Sequence, residues 1–400
     1  MILTLEYHRS PARYLATRGA TSTKLGSRAA GMLAANVAPL RLLNRPEPVP
    51  PGPQWTRVRP LLSGICGSDL GLLTGRNSPY LSELVSMPFT PGHEVVGETL
   101  DDLPDLPRGS RVVLDPVLGC APRNVERCDW CASEAHSRCN HITAGVVSAG
   151  LQTGFCADTG GGWSRMLVAH GSQLHPVPAE LDDRRAVLVE PLACAIHSVR
   201  RVPVPDGATV LVVGAGTVGL LTTLALRECT STGVVYVIAK HAHQRDRARQ
   251  LGATEVFTPD RAARALRRTT GGFLYQPERG AEFLLGGADL AFECTGGGSG
   301  LSTALRLVRA GGTVLLSGMP NEGADLTPLW FRELNLVGAY ASGQRDFPEA
   351  LALVGSAPLD GFVDAVYPLM DWRDAVGHAS AAGRLGTVKV AFDPTKEHKT

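Results

Sequence analysis

Cys120, Cys128, Cys131 and Cys139 fall within twenty residues of one another, with a Cys-x-x-Cys at the centre. Four thiolates in that arrangement can close a tetrahedral shell around Zn²⁺ and clamp a loop that has little core of its own. A redox Cys-x-x-Cys is the rival reading, but it calls for a helix N-terminus and no further cysteines. A second constellation is dispersed. Gly64-Ile65-Cys66-Gly67-Ser68-Asp69 supplies one thiolate, and Gly92-His93-Glu94 supplies an imidazole beside a carboxylate. A catalytic zinc needs three protein ligands and an open position for substrate. Taken singly, each motif has a plainer reading, as a small buried cysteine or a surface His-Glu pair.

A third motif concerns phosphate. In Thr209-Val-Leu-Val-Val-Gly214-Ala-Gly216-Thr217-Val218-Gly219, a Gly-x-Gly-x-x-Gly follows an apolar strand and opens a helix. Gly214 permits the tight turn, Gly216 lets the backbone approach a pyrophosphate, and Gly219 lets the helix pack close on the strand. The helix N-terminus then faces the negative charge. At the end of the next strand an acid would favour NAD by binding the ribose 2′-hydroxyl. Here Ala239 stands there, followed by Lys240 and His241, with Arg245 one turn further on. These cations can pair with a 2′-phosphate, so NADP is expected over NAD. The alternative is that they merely solvate the surface.

What must carry these residues follows from the rest of the chain. At 400 residues it exceeds one ordinary core, and two domains are expected. A hydrophobic content of 44% and a charged content of 19% describe a globular chain. The net charge of +1 gives no electrostatic reason to expect nucleic acid or an anionic membrane as partner. Nine cysteines, five of them in metal-like contexts, fit a metalloprotein in a reducing compartment, and a cytoplasmic location is expected. Ala208 to Leu226 lacks charge over nearly a membrane-spanning length, but its three glycines and β-branched start suit a strand, turn and helix better. Met1 to Arg45 holds seven basic residues and one acid, a transit-peptide composition. Against that, Ile2 to Tyr7 alternates like a first strand, and Val37 to Leu43 resembles another.

Residues 46–60 read as a proline-broken connector entering a short strand at Thr56 to Arg59. Short apolar runs then follow between glycine and proline turns, at Glu94 to Glu98, Arg111 to Leu114 and Ser164 to Val168, as in an irregular antiparallel β domain. Residues 182–200 read as one helix. Beyond it strands alternate with helices, at Thr209 to Val213, Val234 to Ala239, Asp289 to Glu293, Thr313 to Gly318 and Asn335 to Tyr340. That alternation predicts a parallel doubly wound sheet. The tail from Ala341 is expected to return to the first domain.

In this order the motifs, with Glu190-Pro191-Leu192 between the cysteine group and the glycine triplet, resemble the zinc-containing medium-chain alcohol dehydrogenases, in their polyol, sugar and threonine dehydrogenase branch. The resemblance runs from about Trp55 onward. It implies an α/β chain with a GroES-like β catalytic domain over 1–200, a structural zinc lobe at 120–139, a Rossmann domain over 201–340, and a C-terminal return over 341–400. It also implies one catalytic and one structural Zn²⁺, with NADP or NAD as cofactor. Cys66 and His93 would be ligands of the catalytic zinc, Glu190 would hold the place of a second cysteine, and Glu94 would be a further or exchanging ligand. Cys194 is near in sequence, but a buried helix cysteine is the simpler reading. Asp69 would hold the ligating histidine in its tautomer. Zinc would lower the pKa of a substrate hydroxyl, Ser68 would accept its proton, and hydride would pass between the alcohol carbon and the nicotinamide.

A small alcohol or carbonyl, from a secondary alcohol, polyol or sugar-like molecule, is the expected partner, in a homodimer or homotetramer. A zinc-free enone reductase and a non-catalytic dinucleotide-binding protein with structural zinc only are the alternatives. Three departures from the family pattern stand out. Seven residues separate Cys120 from Cys128, where two are usual. Gly71 stands where some members place a relay histidine. Residues 8–45 match nothing in the family.

Overall fold

The structure is a computed structural model and describes residues 1–22, 36–319 and 323–397. It divides into two units, one formed by residues 1–190 with 342–400 and the other by residues 191–341. The part of the unmatched N-terminal segment at residues 23–35 lies outside the described residues.

In the first unit, β1 (Ile2–Tyr7) pairs antiparallel with β2 (Leu40–Arg45), and the helix Pro11–Ser22 lies between them in sequence. The second strand thus begins three residues later than the apolar run suggests. Around β3 (Trp55–Gly64) the larger sheet is built. It pairs antiparallel with β4 (Val95–Thr99), with β6 (Leu167–His170) and with the late strand β17 (Lys389–Phe392). β5 (Arg111–Leu114) and β7 (Leu174–Pro176) extend one side, and β16 (Val363–Tyr367) runs parallel to β17 on the other. Pro60 has no N–H to give the β3–β4 ladder, and the register shifts between Pro60 and Leu62. The strand expected at Ser164 to Val168 instead begins at Leu167. The Ser164 hydroxyl donates to the Gly161 carbonyl at 3.1 Å and accepts from the Met166 N–H at 3.2 Å, a local turn that competes with strand pairing.

The helix expected over 182–200 is two pieces, Asp183–Ala186 and Val189–Arg200. Pro191 cannot donate to the carbonyl of Val187, so the first piece ends there and the second starts afresh.

The second unit is a six-stranded parallel sheet in the order β10-β9-β8-β13-β14-β15. Its strands are β8 (Thr209–Val213), β9 (Val234–Ile238), β10 (Glu255–Phe257), β13 (Ala288–Glu293), β14 (Val308–Leu316) and β15 (Asn335–Gly338). Both faces are covered, which is why the central strands are runs of Val, Leu and Ile rather than alternating patterns. The order turns back on itself between β8 and β13, the switch point of a doubly wound Rossmann sheet. β14 reaches back to Val308, five residues before the expected start. A hairpin of β11 (Phe273–Tyr275) and β12 (Phe283–Leu285), absent from the sequence reading, is added beside it. The uncharged run at Ala208 to Leu226 is β8, a turn and the first part of a helix. Among the described residues no helix is long and apolar enough to cross a membrane.

Candidate active site and dinucleotide loop

Three segments of the first unit meet at the end of β3. The Gly64 N–H donates to the Glu94 carbonyl at 2.8 Å, and the Ile65 N–H donates to the Val390 carbonyl at 2.9 Å. Cys66 then caps the helix Gly67–Leu73, and His93 and Glu94 lead into β4. One donor atom each from Cys66, His93 and Glu94 lies within 4.8 Å of the others, and His93 and Glu94 are buried. A sulfur, a nitrogen and an oxygen donor so placed suit Zn²⁺.

Asp69 organises the group from behind. Its carboxylate is fully buried, and Oδ2 accepts from the Cys66 N–H at 2.9 Å. Oδ1 stands 3.6 Å from His93 Nδ1. Among the described residues neither Asp69 Oδ1 nor His93 Nδ1 has a hydrogen-bond partner, although both are buried. That pairing fixes which ring nitrogen faces the carboxylate and leaves the other for a metal, the usual support of a ligating histidine. Burial raises the Asp69 carboxyl above its ordinary range, against the lowering effect of His93. For His93 burial acts downward, but Asp69, Cys66 and Glu190 outweigh it and the pKa is raised.

Glu190 is buried at the start of the helix Val189–Arg200 and lies outside the three-donor group, though near enough to act on both His93 and Lys389. Ser68 is half-buried on the first turn of its helix. Cys194 is half-buried.

Lys389 escaped the sequence reading. It is 2% exposed on β17, and its Nζ forms an ion pair with Glu94 Oε2. Burial would lower the Lys389 pKa, but Glu94, Cys66 and Glu190 together raise it. A β-carbon on Gly64 would collide with the Glu94 carboxylate and approach Lys389 Cε to 2.8 Å, so glycine there makes room for the pair. The only signal in the sequence was one lysine inside the apolar run Val388 to Phe392.

In the lobe, the sulfurs of Cys120, Cys128, Cys131 and Cys139 lie within 4.8 Å of one another, and none forms a disulfide. Cys120 Sγ is 3.5 Å from Cys139 Sγ, so the long spacing does not remove Cys120 from the group. Backbone N–H groups point at the sulfurs, from Cys128 to Cys120 at 3.4 Å and from His141 to Cys139 at 3.3 Å. Burial resists ionisation of Cys128, but the N–H groups of Asn140 and Cys131 outweigh it and bring its pKa to about 6. Four thiols held this way fit a zinc-binding lobe.

The residues inserted between Cys120 and Cys128 carry Arg123, which is fully buried. Its guanidinium donates to the carbonyls of Leu118 at 3.0 Å, Ala144 at 2.8 Å, Val147 at 3.0 Å and Gly150 at 2.7 Å. The insertion thus brings its own fastening. A second tie joins His136 Nε2 to Asp115 Oδ2 at 2.8 Å, just beyond β5.

In the second unit, Gly214 leaves β8 with φ +100°. Gly216 caps the helix Thr217–Cys229, and among the described residues nothing lies within 4 Å of where its β-carbon would be. A β-carbon on Gly219 would collide with the Gly214 carbonyl oxygen. The loop therefore leaves open space before the first turn, occupied by Thr217 and Val218, where a pyrophosphate can approach backbone N–H groups. At the end of β9, His241 caps the helix Ala242–Gln250, and Arg245 donates to the Lys240 carbonyl at 3.1 Å. Lys240 is exposed, and Ala239 is buried.

Residues 52–179 match the family described as alcohol dehydrogenase GroES-like domain, and residues 217–356 match that described as zinc-binding dehydrogenase. A sorbitol dehydrogenase of Halalkalibacterium halodurans is 24% identical, across 88% of this chain and 94% of the relative. An L-idonate 5-dehydrogenase of Vitis vinifera is 27% identical, across 80% and 81%. Among solved structures, a chain from Sinorhizobium meliloti 1021 designated a zinc-binding dehydrogenase and bound to NADP superposes with a TM-score of 0.69, at 28% identity, over 89% of this chain and 95% of that one.

The chain belongs to the zinc-containing medium-chain alcohol dehydrogenases, with a GroES-like β unit and a Rossmann unit. It is a zinc-dependent oxidoreductase that uses NAD(P).

Proposed function

We propose that this enzyme moves a hydride between the secondary alcohol carbon of a polyol or sugar-like substrate and NADP, with Cys66, His93 and Glu190 as ligands of a catalytic zinc. The observation that carries this reading is the convergence of half-buried Cys66 with buried His93 and Glu94 in front of Asp69. When bound there, zinc supplies Lewis acidity that lowers the pKa of a substrate hydroxyl.

The chain's own groups do the rest. Asp69 holds the His93 ring through Nδ1. Lys389 competes with zinc for the Glu94 carboxylate, which makes Glu94 an exchanging donor rather than a fixed one. Ser68 Oγ takes the proton released by the substrate hydroxyl. Gly214, Gly216 and Gly219 with the N–H groups at Thr217 and Val218 receive the pyrophosphate, and Lys240, His241 and Arg245 pair with a 2′-phosphate. Cys120, Cys128, Cys131 and Cys139 hold a second, structural zinc.

The sorbitol and L-idonate activities named for the relatives support the polyol class. The NADP named for the bound relative supports the cofactor, as does the absence of an acid at Ala239. The test is a panel of polyols and sugar acids followed at the reduced-nicotinamide absorbance, with NAD and NADP in parallel, on protein analysed for zinc. Polyol turnover faster with NADP and two zincs per chain are expected. Equal or better rates with NAD would overturn the role given to Lys240.

A further inference from the structure

Glu293 is the last residue of β13 and is 1% exposed. It pairs with Val213, the residue before Gly214, and with Leu316 at the end of β14. It therefore stands at the switch point of the sheet, where a parallel sheet opens a crevice at its carboxyl edge. Its main-chain carbonyl accepts from the N–H groups of Ser317 and Gly318, each at 3.0 Å. Its carboxylate turns toward the next three residues. Oε1 accepts from the Thr295 N–H at 2.8 Å and from the Thr295 hydroxyl, and Oε2 accepts from the Gly296 N–H at 3.1 Å. Among the described residues no cation pairs with it.

An anion this deeply buried is costly unless donors surround it. Here three donors of one tight turn do so, and glycines leave the space: a β-carbon on Gly300 would collide with Oε1, and one on Gly318 would stand 3.0 Å from Oε2. The turn is the wall of the glycine loop. The Cys294 N–H donates to the Val213 carbonyl at 3.0 Å. Thr295 Cγ2 lies 2.6 Å from the β-carbon position of Gly214, and Cys294 Cβ lies 3.3 Å from that of Gly219.

We propose that Glu293 is a positioning residue for the dinucleotide: its carboxylate fixes the Cys294–Gly296 turn, and that turn holds Gly214 and Gly219 in the shape that receives the pyrophosphate. This rests on the reading that the Gly214–Gly219 loop is the dinucleotide site. A carboxylate is required because all three partners are donors. Glutamine would turn an N–H₂ against at least one of them, although its size is the same.

The experiment titrates NADPH onto the zinc-loaded enzyme, comparing the parent with Glu293→Gln, Thr295→Val and Gly216→Val, and records zinc content and the KM values for dinucleotide and alcohol. Glu293→Gln is expected to weaken NADPH binding and raise the dinucleotide KM at least tenfold, with zinc content and the alcohol KM unchanged. Thr295→Val, which loses only the hydroxyl, is expected to weaken binding about threefold. A merely structural role would lower the unfolding temperature without moving NADPH affinity measured well below it. Affinity within twofold of the parent for Glu293→Gln, while Gly216→Val loses tenfold, overturns the inference. If Gly216→Val also binds normally, the assignment of the loop itself is wrong. Should Glu293→Gln not fold, unchanged affinity in Thr295→Val overturns the inference in its place.

Discussion

Lys389 Nζ and Glu94 Oε2 form an ion pair in which each side chain is only 2% exposed. Breaking such a pair leaves one charge stranded, at a cost of about 3–5 kcal/mol, whereas replacing both partners by apolar groups is often neutral. Lys389→Met is therefore expected to lose about that much stability in urea unfolding, and Lys389→Met with Glu94→Leu to recover most of it. A single variant as stable as the parent would show that the two charges are independent.

Among the described residues Arg123 has several carbonyls as partners and no carboxylate. In Arg123→Ala these groups lose their donor together, and each buried unsatisfied group costs about 1–3 kcal/mol. We expect a loss of at least about 3 kcal/mol and a fall from two zincs per chain to one. Arg123→Lys, with a point charge in place of a planar fork, should rescue little. Full zinc content in Arg123→Ala would mean that the sulfurs alone organise the lobe.

The His136–Asp115 contact gives a pH dependence. Burial acts downward on His136, but Asp115 outweighs it, and the folded pKa is raised above the ordinary 6.5. Its contribution to stability is thus complete below pH 6.5 and fades as pH rises through the folded value. The unfolding temperature of His136→Phe should fall furthest below the parent at pH 5.5, and the gap should close as pH rises above the ordinary imidazole range. A gap that widens with pH contradicts the ion pair.

Gly216→Val separates binding from folding. Among the described residues nothing lies within 4 Å of the added β-carbon, so the unfolding temperature should stay within about 2 °C of the parent. NADPH affinity should fall at least tenfold, because the side chain fills the approach to the backbone N–H groups. Isothermal titration beside a thermal melt decides it. Normal affinity would move the pyrophosphate elsewhere.

Much of this was legible because local chemistry repeats at fixed spacing. The strand, glycine triplet and helix from Thr209 onward need no distant partner to be recognised, and the cysteine lobe announces itself by density. What stayed hidden depends on residues far apart in the chain. Lys389 meets Glu94 only because β17 lies on β3, and no periodicity reports that. Arg123 reads as an ordinary surface cation until the carbonyls of residues 144–150 fold around it. The single helix expected over 182–200 failed for a local reason that was available, Pro191, and the strand near Ser164 failed because a hydroxyl satisfied the backbone first.

The unit that holds Cys66, His93 and Glu94 is written in two instalments, with the whole of residues 191–341 between them. On the ribosome, Glu94 emerges long before Lys389 is translated, while the intervening Rossmann segment is continuous and can mature as a piece. The nascent first unit must therefore wait, unfinished, with a carboxylate that has no counter-ion, until the closing strand arrives. A circular permutant that joins the segments 342–400 and 1–190 directly would remove that delay and should refold its metal-binding half faster than the parent.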